Sequence, residues 1–458
     1  MLSLPIVGQA APLSPLAPLA PLAPTGEAPW LHVVPGAPPL VLLVHGSQLY
    51  EVDAATAERL EAADPAALAE LQPLATARGA LRLDEVTPPP APTALSLNLA
   101  QTCNLGCHYC YADEGRFQGQ ARLMPEAIAL AAIDRLIDGA PGGQVTVGFI
   151  GGEPFLHREL IHRAVAHARA RGAGAGVTVR FSVTTNGTLL REQDVALLRE
   201  HAFAVSVSLD GDAATHDRHR PARDGRGSHA RALAALAPLL ANPGAARLAA
   251  RATVTRDDLR VDERVRALLA LGFHEAGVSP ARTGPAAELL LRDEDWPRFL
   301  VAMVDAADAE LTRVRAAGGR APFRFGNLAI ALKQIHRGAC RPLPCGAGYN
   351  YLSVSAEGDY FTCHRTIDDP RFAVGDAAHG PHLAARRRFV ATRHVDRQEP
   401  CRGCWARYLC GGGCHAEVAA VGRAGCDYIR GWLDYCLRAY TAVAGELPHL
   451  LTASEGLS

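Results

Sequence analysis

The chain has 458 residues, of which 48% are hydrophobic and 20% are charged, and 46 basic side chains against 47 acidic ones give a net charge of -1. This length predicts a globular protein of about two to four domains, and the charge balance excludes the strongly basic surface typical of nucleic-acid-binding proteins. No apolar run is long enough for a membrane-spanning helix, and the N-terminus lacks the charged start of a signal peptide. We therefore expect a cytoplasmic protein that binds neither nucleic acid nor membrane.

The N-terminal part divides into a tail and a small domain. Residues 1–28 form a loose repeat of Pro, Ala and Leu, which predicts a disordered or extended tail because proline prevents regular backbone hydrogen bonding. Residues 29–87 predict a small α+β domain in which short strands precede a helix that Asp53 caps and that runs to about residue 71. The predicted strands are 31–34, 41–44 and 49–52. The proline-rich residues 88–92 predict a linker.

Three cysteines then follow an apolar, strand-like run with the spacing C-x3-C-x2-C. They are Cys103, Cys107 and Cys110, and Tyr109 stands directly before the last of them. Four thiolates would close a [4Fe–4S] cluster, whereas three leave one iron without a protein ligand. An open metal position can bind a small chelating molecule. The alternative is a loop of free or disulfide-bonded cysteines.

From about residue 94 to residue 300, predicted strands alternate with predicted helices, a pattern typical of a parallel sheet. Glycine or polar residues follow the C-terminal end of each strand, which is the end that carries the active site of a β/α barrel. The strands after the cysteine loop are 144–150, 177–183, 203–209, 248–255 and 275–279. The candidate ligand-binding residues at their ends are Gly151, Gly152, Glu153, Pro154, Thr185, Asn186, Ser206, Ser208 and Asp210, followed by Arg251, Thr253 and Ser279. The alternative for each serine is a hydroxyl group bonded to neighbouring backbone.

Arg220 belongs to a polar segment after the fourth of these strands, in which residues 216–221 read HDRHRP and residues 225–228 read GRGS. A guanidinium group here is suited to pair bidentately with a carboxylate of a cofactor or a substrate. The alternative is an arginine on a loop that faces solvent.

Nine of the twelve cysteines lie in the C-terminal part of the chain. Four of them form the run C-x2-C-x5-C-x3-C, and a predicted hairpin with a Glu-Gly turn lies upstream. The nine are Cys340, Cys345, Cys363, Cys401, Cys404, Cys410, Cys414, Cys426 and Cys436. Cys345 and Cys363 flank the hairpin, so both are placed to reach one metal. On this segment alone, structural zinc is an alternative to iron–sulfur clusters.

The cysteine spacing, the Gly-Gly-Glu-Pro sequence at 151–154 and the segment around Arg220 together resemble the radical S-adenosylmethionine (SAM) superfamily. The resemblance implies a partial (β/α)6 TIM-like barrel over residues 94–310. It also implies that the open iron takes the amino and carboxylate groups of SAM and that the cluster cleaves SAM to a 5′-deoxyadenosyl radical. In that family the Gly-Gly-Glu-Pro motif holds the amino group of SAM, and Ser208 and Asp210 lie near its ribose or methionine part.

The C-terminal part, residues 335–440, resembles the SPASM domain, which usually binds two auxiliary [4Fe–4S] clusters and so brings the expected total to three. The resemblance assigns Cys340, Cys345, Cys363 and Cys414 to the nearer auxiliary cluster. It assigns Cys401, Cys404 and Cys410, with either Cys426 or Cys436, to the farther one. Residues 29–87 resemble the winged-helix-like peptide-recognition domains to which a leader peptide adds a strand. A domain that serves only for packing is the alternative.

These resemblances imply an enzyme that modifies a peptide or a small protein subunit and needs an electron donor. Residues 110–115 and 426–433 resemble the thioether-forming maturases of quinohemoprotein amine dehydrogenase, so we expect crosslinks from Cys to Asp or Glu. The alternatives are carbon–carbon or carbon–oxygen crosslinks in a ribosomal peptide, and a zinc-binding scaffold without catalysis. Relatives that oxidise a serine or cysteine carry a catalytic Asp directly after the cysteine equivalent to Cys363. Because His364 stands there, we do not expect that chemistry.

Overall fold

The structure, a computed structural model, describes residues 29–76, 83–117 and 119–452, so the predicted tail lies outside the described residues. The strands are β1 (Leu31–Val34), β2 (Leu40–Leu43), β3 (Gln48–Glu51), β4 (Ala94–Ala100), β5 (Gln144–Gly151), β6 (Thr178–Thr185), β7 (Ala204–Ser208), β8 (Arg247–Val254), β9 (Glu275–Pro280), β10 (Tyr351–Val354), β11 (Tyr360–Phe361), β12 (Ala373–Asp376) and β13 (Gly380–Pro381). The helices before β10 are α1 (Ala54–Glu61), α2 (Pro65–Thr76), α3 (Leu83–Val86), α4 (Glu126–Asp138), α5 (Arg158–Ala175), α6 (Glu192–Glu200), α7 (Ala213–His219), α8 (His229–Ala241), α9 (Val261–Ala270), α10 (Trp296–Ala316) and α11 (Gly326–His336). Those after β13 are α12 (Leu383–Arg393), α13 (Arg407–Cys410), α14 (His415–Val421), α15 (Cys426–Glu446) and α16 (His449–Thr452).

The N-terminal strands β1, β2 and β3 form an antiparallel sheet in that order. Asp53 caps α1 as predicted, since its carboxylate accepts a hydrogen bond from the backbone N–H of Thr56 at 2.8 Å. The single predicted helix is wrong, because α1 ends at Glu61 and α2 begins at Pro65. Proline lacks an N–H group and so suits the first position of a new helix, where no donor is needed.

Strand β2 is buried on both of its faces, which fixes the N-terminal sheet against the rest of the molecule. Val41 and Leu43 pack with Leu60 of α1. Leu40 and Leu42, which alternate with them, belong to the main hydrophobic core. Burial of apolar side chains on both faces excludes water from each and holds the sheet in place.

The central strands β4 to β9 pair in parallel and in chain order, and helices connect them on the outside. The predicted partial (β/α)6 barrel is therefore confirmed. The rings of Phe149, Phe181 and Phe203 stack across neighbouring strands, with centroids 5.3 Å apart for the second and third. The strands are legible in the sequence because each is a buried apolar run that ends at polar or glycine residues.

The C-terminal hairpin joins the same sheet, which the sequence analysis did not predict. Strand β10 pairs in parallel with β4, in the register Tyr351 to Ala94 and Val354 to Leu97. The sheet consequently has ten strands in the order β13-β12-β11-β10-β4-β5-β6-β7-β8-β9. This pairing brings the C-terminal cysteines beside the cysteine loop that follows β4.

Helix α15 packs against α10 and α11 and also contacts β1 of the N-terminal sheet. His32 on β1 lies 2.8 Å from the carboxylate of Asp434, and its ring stacks on Trp405 with centroids 3.8 Å apart. Within the described ranges, every helix is too short or too polar to cross a lipid bilayer.

Candidate active site

A cavity of about 370 Å³ opens where the C-terminal ends of β5 to β9 meet the cysteine loop after β4. Most of the predicted site residues line this cavity. They are Cys103, Cys107, Tyr109, Cys110, Gly151, Gly152, Thr185, Asn186, Ser208 and Arg220, together with Arg251, Thr253 and Ser279. Four predicted residues, Glu153, Pro154, Ser206 and Asp210, are not part of its lining.

The cysteine loop is hydrogen-bonded to the end of α7 and to the segment that follows it. The backbone N–H of Gly106 donates to the carbonyl of Pro221, and that of His108 donates to the carbonyl of His219, both at 2.9 Å. Burial raises the pKa of Cys103 to about 12 and that of Cys107 to about 11. Buried thiolates need a cation to offset the cost of desolvation, and iron supplies that positive charge. The loop therefore fits the [4Fe–4S] cluster that its spacing predicts.

Gly151 and Gly152 pack directly on the backbone that leads into the cysteine loop. A Cβ atom at Gly151 would lie 2.5 Å from the carbonyl oxygen of Ala100, and one at Gly152 would lie 2.6 Å from the carbonyl carbon of Thr102. The amide of Gly152 also donates to the carbonyl of Ala100 at 2.8 Å. The two glycines are required because no side chain fits between these backbones.

The Glu153 carboxylate is fully buried and accepts its hydrogen bonds from the protein itself. Oε1 accepts from the hydroxyl of Thr185 at 2.8 Å and from the amide of Phe155 at 3.1 Å, and Oε2 accepts from the amide of Asn186 at 2.7 Å. Burial raises the pKa of this carboxyl group to about 7. Glu153 thus joins the end of β5 to the end of β6, and its contact with SAM stays a prediction.

Asn186 links the end of β6 to the cysteine loop. Its side-chain amide donates to Oδ1 of Asn104 at 2.9 Å and lies 3.7 Å from the sulfur of Cys103. The side chain of Asn104 in turn donates to the hydroxyl of Thr188 at 2.8 Å. These bonds position Cys103 against the third strand of the barrel.

Tyr109, Asp210 and Arg220 form one buried network. The hydroxyl of Tyr109 donates to Oδ2 of Asp210 and accepts a bond from Nη1 of Arg220 at 2.8 Å. Oδ1 of Asp210 accepts from the amide of Thr253 at 2.9 Å. Arg220 is only 7% exposed and lines the cavity, so the solvent-facing alternative is wrong. Asp210 lies behind Tyr109 and holds it in position.

The nearer C-terminal cysteines lie close to this cavity. Desolvation, together with the neighbouring Cys363 and Cys414, raises the pKa of Cys345 to about 11. His364, directly after Cys363, and Glu417 on α14 line the cavity itself. Cys340 is half-buried and packs against the main core, so its place beside the other three stays a prediction.

The structure separates the two candidates for the fourth ligand of the farther group. Cys401, Cys404, Cys410, Cys414 and Cys426 line one small cavity, and burial, with Cys404, Cys410 and Cys426 nearby, raises the pKa of Cys401 to about 11. Cys436 is fully buried among apolar side chains of the main core. The geometry therefore favours Cys426 and does not support Cys436 as a metal ligand.

Several residues of the site escaped the sequence analysis. Arg282, Thr283, Arg365 and Glu417 line the cavity although no recognised motif contains them. A hydrogen-bonded chain also runs from Ser96 through the hydroxyl of Tyr351, at 2.7 Å, to Nδ1 of His364, at 3.0 Å. Burial lowers the pKa of His364 to about 4, so its ring is neutral near neutral pH.

The chain is similar to known proteins in sequence. Residues 97–242 match the family model described as the radical SAM superfamily. The chain is 27% identical over 337 residues to the serine-type anaerobic sulfatase-maturating enzyme of Klebsiella aerogenes, which covers 71% of this chain and 80% of that protein. It is 29% identical over 363 residues to the PqqA peptide cyclase of Xanthomonas euvesicatoria pv. vesicatoria, covering 72% of this chain and 85% of that one.

Solved structures show the same fold. The structure of anSMEcpe with bound AdoMet has a TM-score of 0.66 at 19% identity, covering 79% of this chain and 98% of that one. The structure of Streptococcus suis SuiB bound to S-adenosylmethionine has a TM-score of 0.50 at 13% identity, covering 88% of this chain and 98% of that one.

Proposed function

Because the chain is a radical SAM enzyme, we propose that it installs crosslinks within a peptide or a small protein subunit. The bond proposed is a thioether from a Cys sulfur to a side-chain carbon of Asp or Glu. Forming it removes one hydrogen atom from each partner, so the product is lighter by two hydrogen atoms and the reaction is an oxidation.

The observation that carries this proposal is that the cavity lined by the barrel cysteines is also lined by the residues directly after Cys363. Cys103, Cys107 and Cys110 line it from the barrel, while His364 and Arg365, next to Cys363, line it from the C-terminal part. A second cluster held beside the reaction cavity is suited to accept an electron from an oxidised substrate or to bind its thiolate.

We propose three [4Fe–4S] clusters and SAM as cofactors. The proposed ligands of the barrel cluster are Cys103, Cys107 and Cys110. The nearer auxiliary cluster binds Cys340, Cys345, Cys363 and Cys414, and the farther one binds Cys401, Cys404, Cys410 and Cys426. When bound, the barrel cluster and SAM supply a radical that abstracts hydrogen from a substrate C–H bond.

The residues of the chain bind and orient the substrates of this chemistry. We propose that backbone carbonyl groups of Gly151 and Gly152 accept hydrogen bonds from the amino group of SAM, and that Arg220 donates to its carboxylate. The Nε of Arg220 is buried and lacks a hydrogen-bond partner among the described residues, which leaves a donor for such a ligand.

The peptide partner is proposed to bind through the edge of β3. Strand β1 lies against α15, whereas β3 pairs only with β2 among the described residues. An extended leader segment can therefore add to this edge by β-augmentation. An electron donor is also required, because reductive cleavage of SAM consumes one electron.

Mass spectrometry of the peptide or subunit encoded beside the gene, co-expressed with this chain, tests the proposal. We expect a loss of two hydrogen masses for each crosslink and a Cys that no longer reacts with iodoacetamide. Cys107→Ala should release 5′-deoxyadenosine only at background level and leave the partner unmodified. Unchanged SAM cleavage by this variant would contradict the assignment of the barrel cluster.

A carbon–carbon or carbon–oxygen crosslink is the second candidate, and the likeness to a PqqA peptide cyclase favours it. The iodoacetamide reaction separates the two, because a peptide that has lost two hydrogens yet still alkylates at every Cys carries no thioether. The zinc scaffold without catalysis does not apply to a radical SAM enzyme.

A further inference from the structure

A second, larger space adjoins the cavity that contains the three barrel cysteines. This groove of about 820 Å³ runs over the surface between the cysteine loop and residues 365–372. Four residues line both spaces, namely Cys110, Tyr111, Thr283 and Arg365. A substrate segment lying in the groove therefore meets these residues where it enters the cavity.

Most charges along the groove are already paired within the protein. Asp369 lies 2.6 Å from Nη2 of Arg371, and Asp113 lies 3.1 Å from Nη2 of Arg116. Asp368 accepts a hydrogen bond from the side-chain amide of Gln101 at 2.7 Å. These carboxylates already form ion pairs or hydrogen bonds within the protein, so they are not suited to bind a substrate.

The junction between groove and cavity carries a surplus of positive charge. Glu417 lies 2.7 Å from Nη1 of Arg365 and 3.8 Å from Nε of Arg282. Two guanidinium groups thus share one carboxylate. Both side chains are mostly buried, so water screens their charge only in part.

Arg365 is held in a fixed orientation, and one of its hydrogen-bond donors has no partner among the described residues. Its guanidinium group lies 4.5 Å above the ring of Tyr111, and Nη2 donates to the hydroxyl of Thr283 at 3.2 Å. The Nε atom is buried and lacks a hydrogen-bond partner among the described residues. A planar guanidinium group with a free donor is suited to bind a carboxylate.

We propose that Arg365, with Arg282 beside it, binds the carboxylate of an acidic substrate side chain at the junction of groove and cavity. This subsite rests on the proposed function, because it would hold the Asp or Glu residue that is to be crosslinked. With this subsite, a substrate segment needs the acidic residue as well as the cysteine in order to bind in the cavity.

Two capped tripeptides, acetyl-Gly-Asp-Gly-amide and acetyl-Gly-Asn-Gly-amide, test the subsite by NMR titration of the anaerobic holoenzyme saturated with SAM. We expect the Asp probe to bind about tenfold more tightly than the Asn probe, since charge-assisted bonds are stronger than neutral ones. The preference should disappear in Arg365→Gln and persist in part in Arg365→Lys. It should remain whole in Arg371→Gln, whose arginine lines the groove but not the cavity.

Equal binding of both probes to the unaltered enzyme would overturn the proposal, as would a preference that survives in Arg365→Gln. Loss of auxiliary iron from both Arg365 variants would show that Arg365 balances the charge of a cluster instead, and would also overturn it. The proposed function is judged separately by the mass of the partner peptide. A crosslinked peptide without a carboxylate preference refutes only the subsite, and a preference without crosslinking refutes only the function.

Discussion

At the scale of single residues, Arg220 shows how a buried hydrogen-bond network fixes the position of one side chain that lines the cavity. The hydroxyl of Tyr109 accepts a hydrogen bond from the guanidinium group of Arg220. The hydroxyl of Ser228 donates to the backbone carbonyl of Arg220 at 2.6 Å. That hydroxyl in turn accepts from Nε2 of His216 at 2.9 Å, while Nδ1 of His216 faces the amide of Asp210 at 3.4 Å. The arrangement requires a neutral imidazole, since one ring nitrogen donates and the other accepts.

His216 should make the stability of the protein sensitive to acid. Burial lowers the pKa of His216 from 6.5 to about 2, so between these values the unfolded chain binds a proton that the folded protein does not. The corresponding stability is complete above pH 6.5 and is lost as the pH falls. In His216→Gln, the slope of the free energy of unfolding against pH should therefore be smaller below pH 6.5. The decrease in slope corresponds to at most about one proton.

Denaturant unfolding of the apoprotein at several pH values measures this slope. His336→Gln, at an exposed position on α11, is the matched control and should leave the slope unchanged. An identical slope in His216→Gln and in the unaltered protein would count against a neutral, buried His216.

At the scale of secondary-structure elements, the cysteine loop and the turn after β5 behave as one unit. The amide of Glu153 donates to the carbonyl of Thr102 at 3.1 Å, and the amide of Gly152 donates to the carbonyl of Ala100. The loop that is proposed to hold the barrel cluster is thus hydrogen-bonded to the turn that is predicted to hold SAM. Any change in the distance between them should affect both ligands together.

Gly152→Ala should displace the cysteine loop, because the new Cβ would meet the backbone carbonyl group of Thr102, which cannot rotate away. We expect loss of iron from the barrel cluster and a fall in SAM cleavage of at least about tenfold, with the far-ultraviolet circular dichroism unchanged.

Gly174→Ala on α5 is the matched control, since a Cβ there meets no atom within 4 Å. It should retain iron and gain up to about 1 kcal/mol of stability from the higher helix propensity of alanine. Full iron content in Gly152→Ala would show that the loop tolerates the shift.

At the scale of the whole molecule, the N-terminal, central and C-terminal parts share contacts that make them depend on one another. Strand β10 completes the sheet beside β4, and α15 packs on α10 and α11. Nη1 of Arg407 donates both to the carbonyl of Pro29, at 2.9 Å, and to that of Cys404, at 3.0 Å. The N-terminal sheet therefore rests directly on the segment that carries the farther cysteine group.

Cys426→Ala and Cys436→Ala should have opposite consequences. The first removes a proposed ligand, so we expect the loss of about one cluster of iron and faster hydrogen exchange in β1, which contacts this region. The second leaves a small cavity in the core and should lower stability by about 1 kcal/mol without loss of iron. Iron analysis with hydrogen-exchange mass spectrometry distinguishes them. Iron loss from Cys436→Ala alone would reverse the assignment.

Features that are encoded over short distances along the chain could be predicted from the order of the amino acids. The spacing of Cys103, Cys107 and Cys110 predicts an iron–sulfur loop, and the strands of the barrel match their predicted positions to within a few residues. Both follow from local rules, because ligand spacing and the alternation of apolar runs with turns are properties of neighbouring residues.

The contacts between residues that are distant along the chain became known only from the folded structure. In the folded chain Arg220 is buried against Tyr109, and the Glu153 carboxylate accepts hydrogen bonds from Thr185 and Asn186. Cys426 lines a cavity with other cysteines, whereas Cys436 lies in the apolar core. Spacing along the chain predicts none of these contacts. The fold also pairs β10 with β4 and so brings Arg365 to the cavity. Contacts of this kind depend on how elements pack after the chain has folded, and a single sequence does not encode that packing in any local pattern.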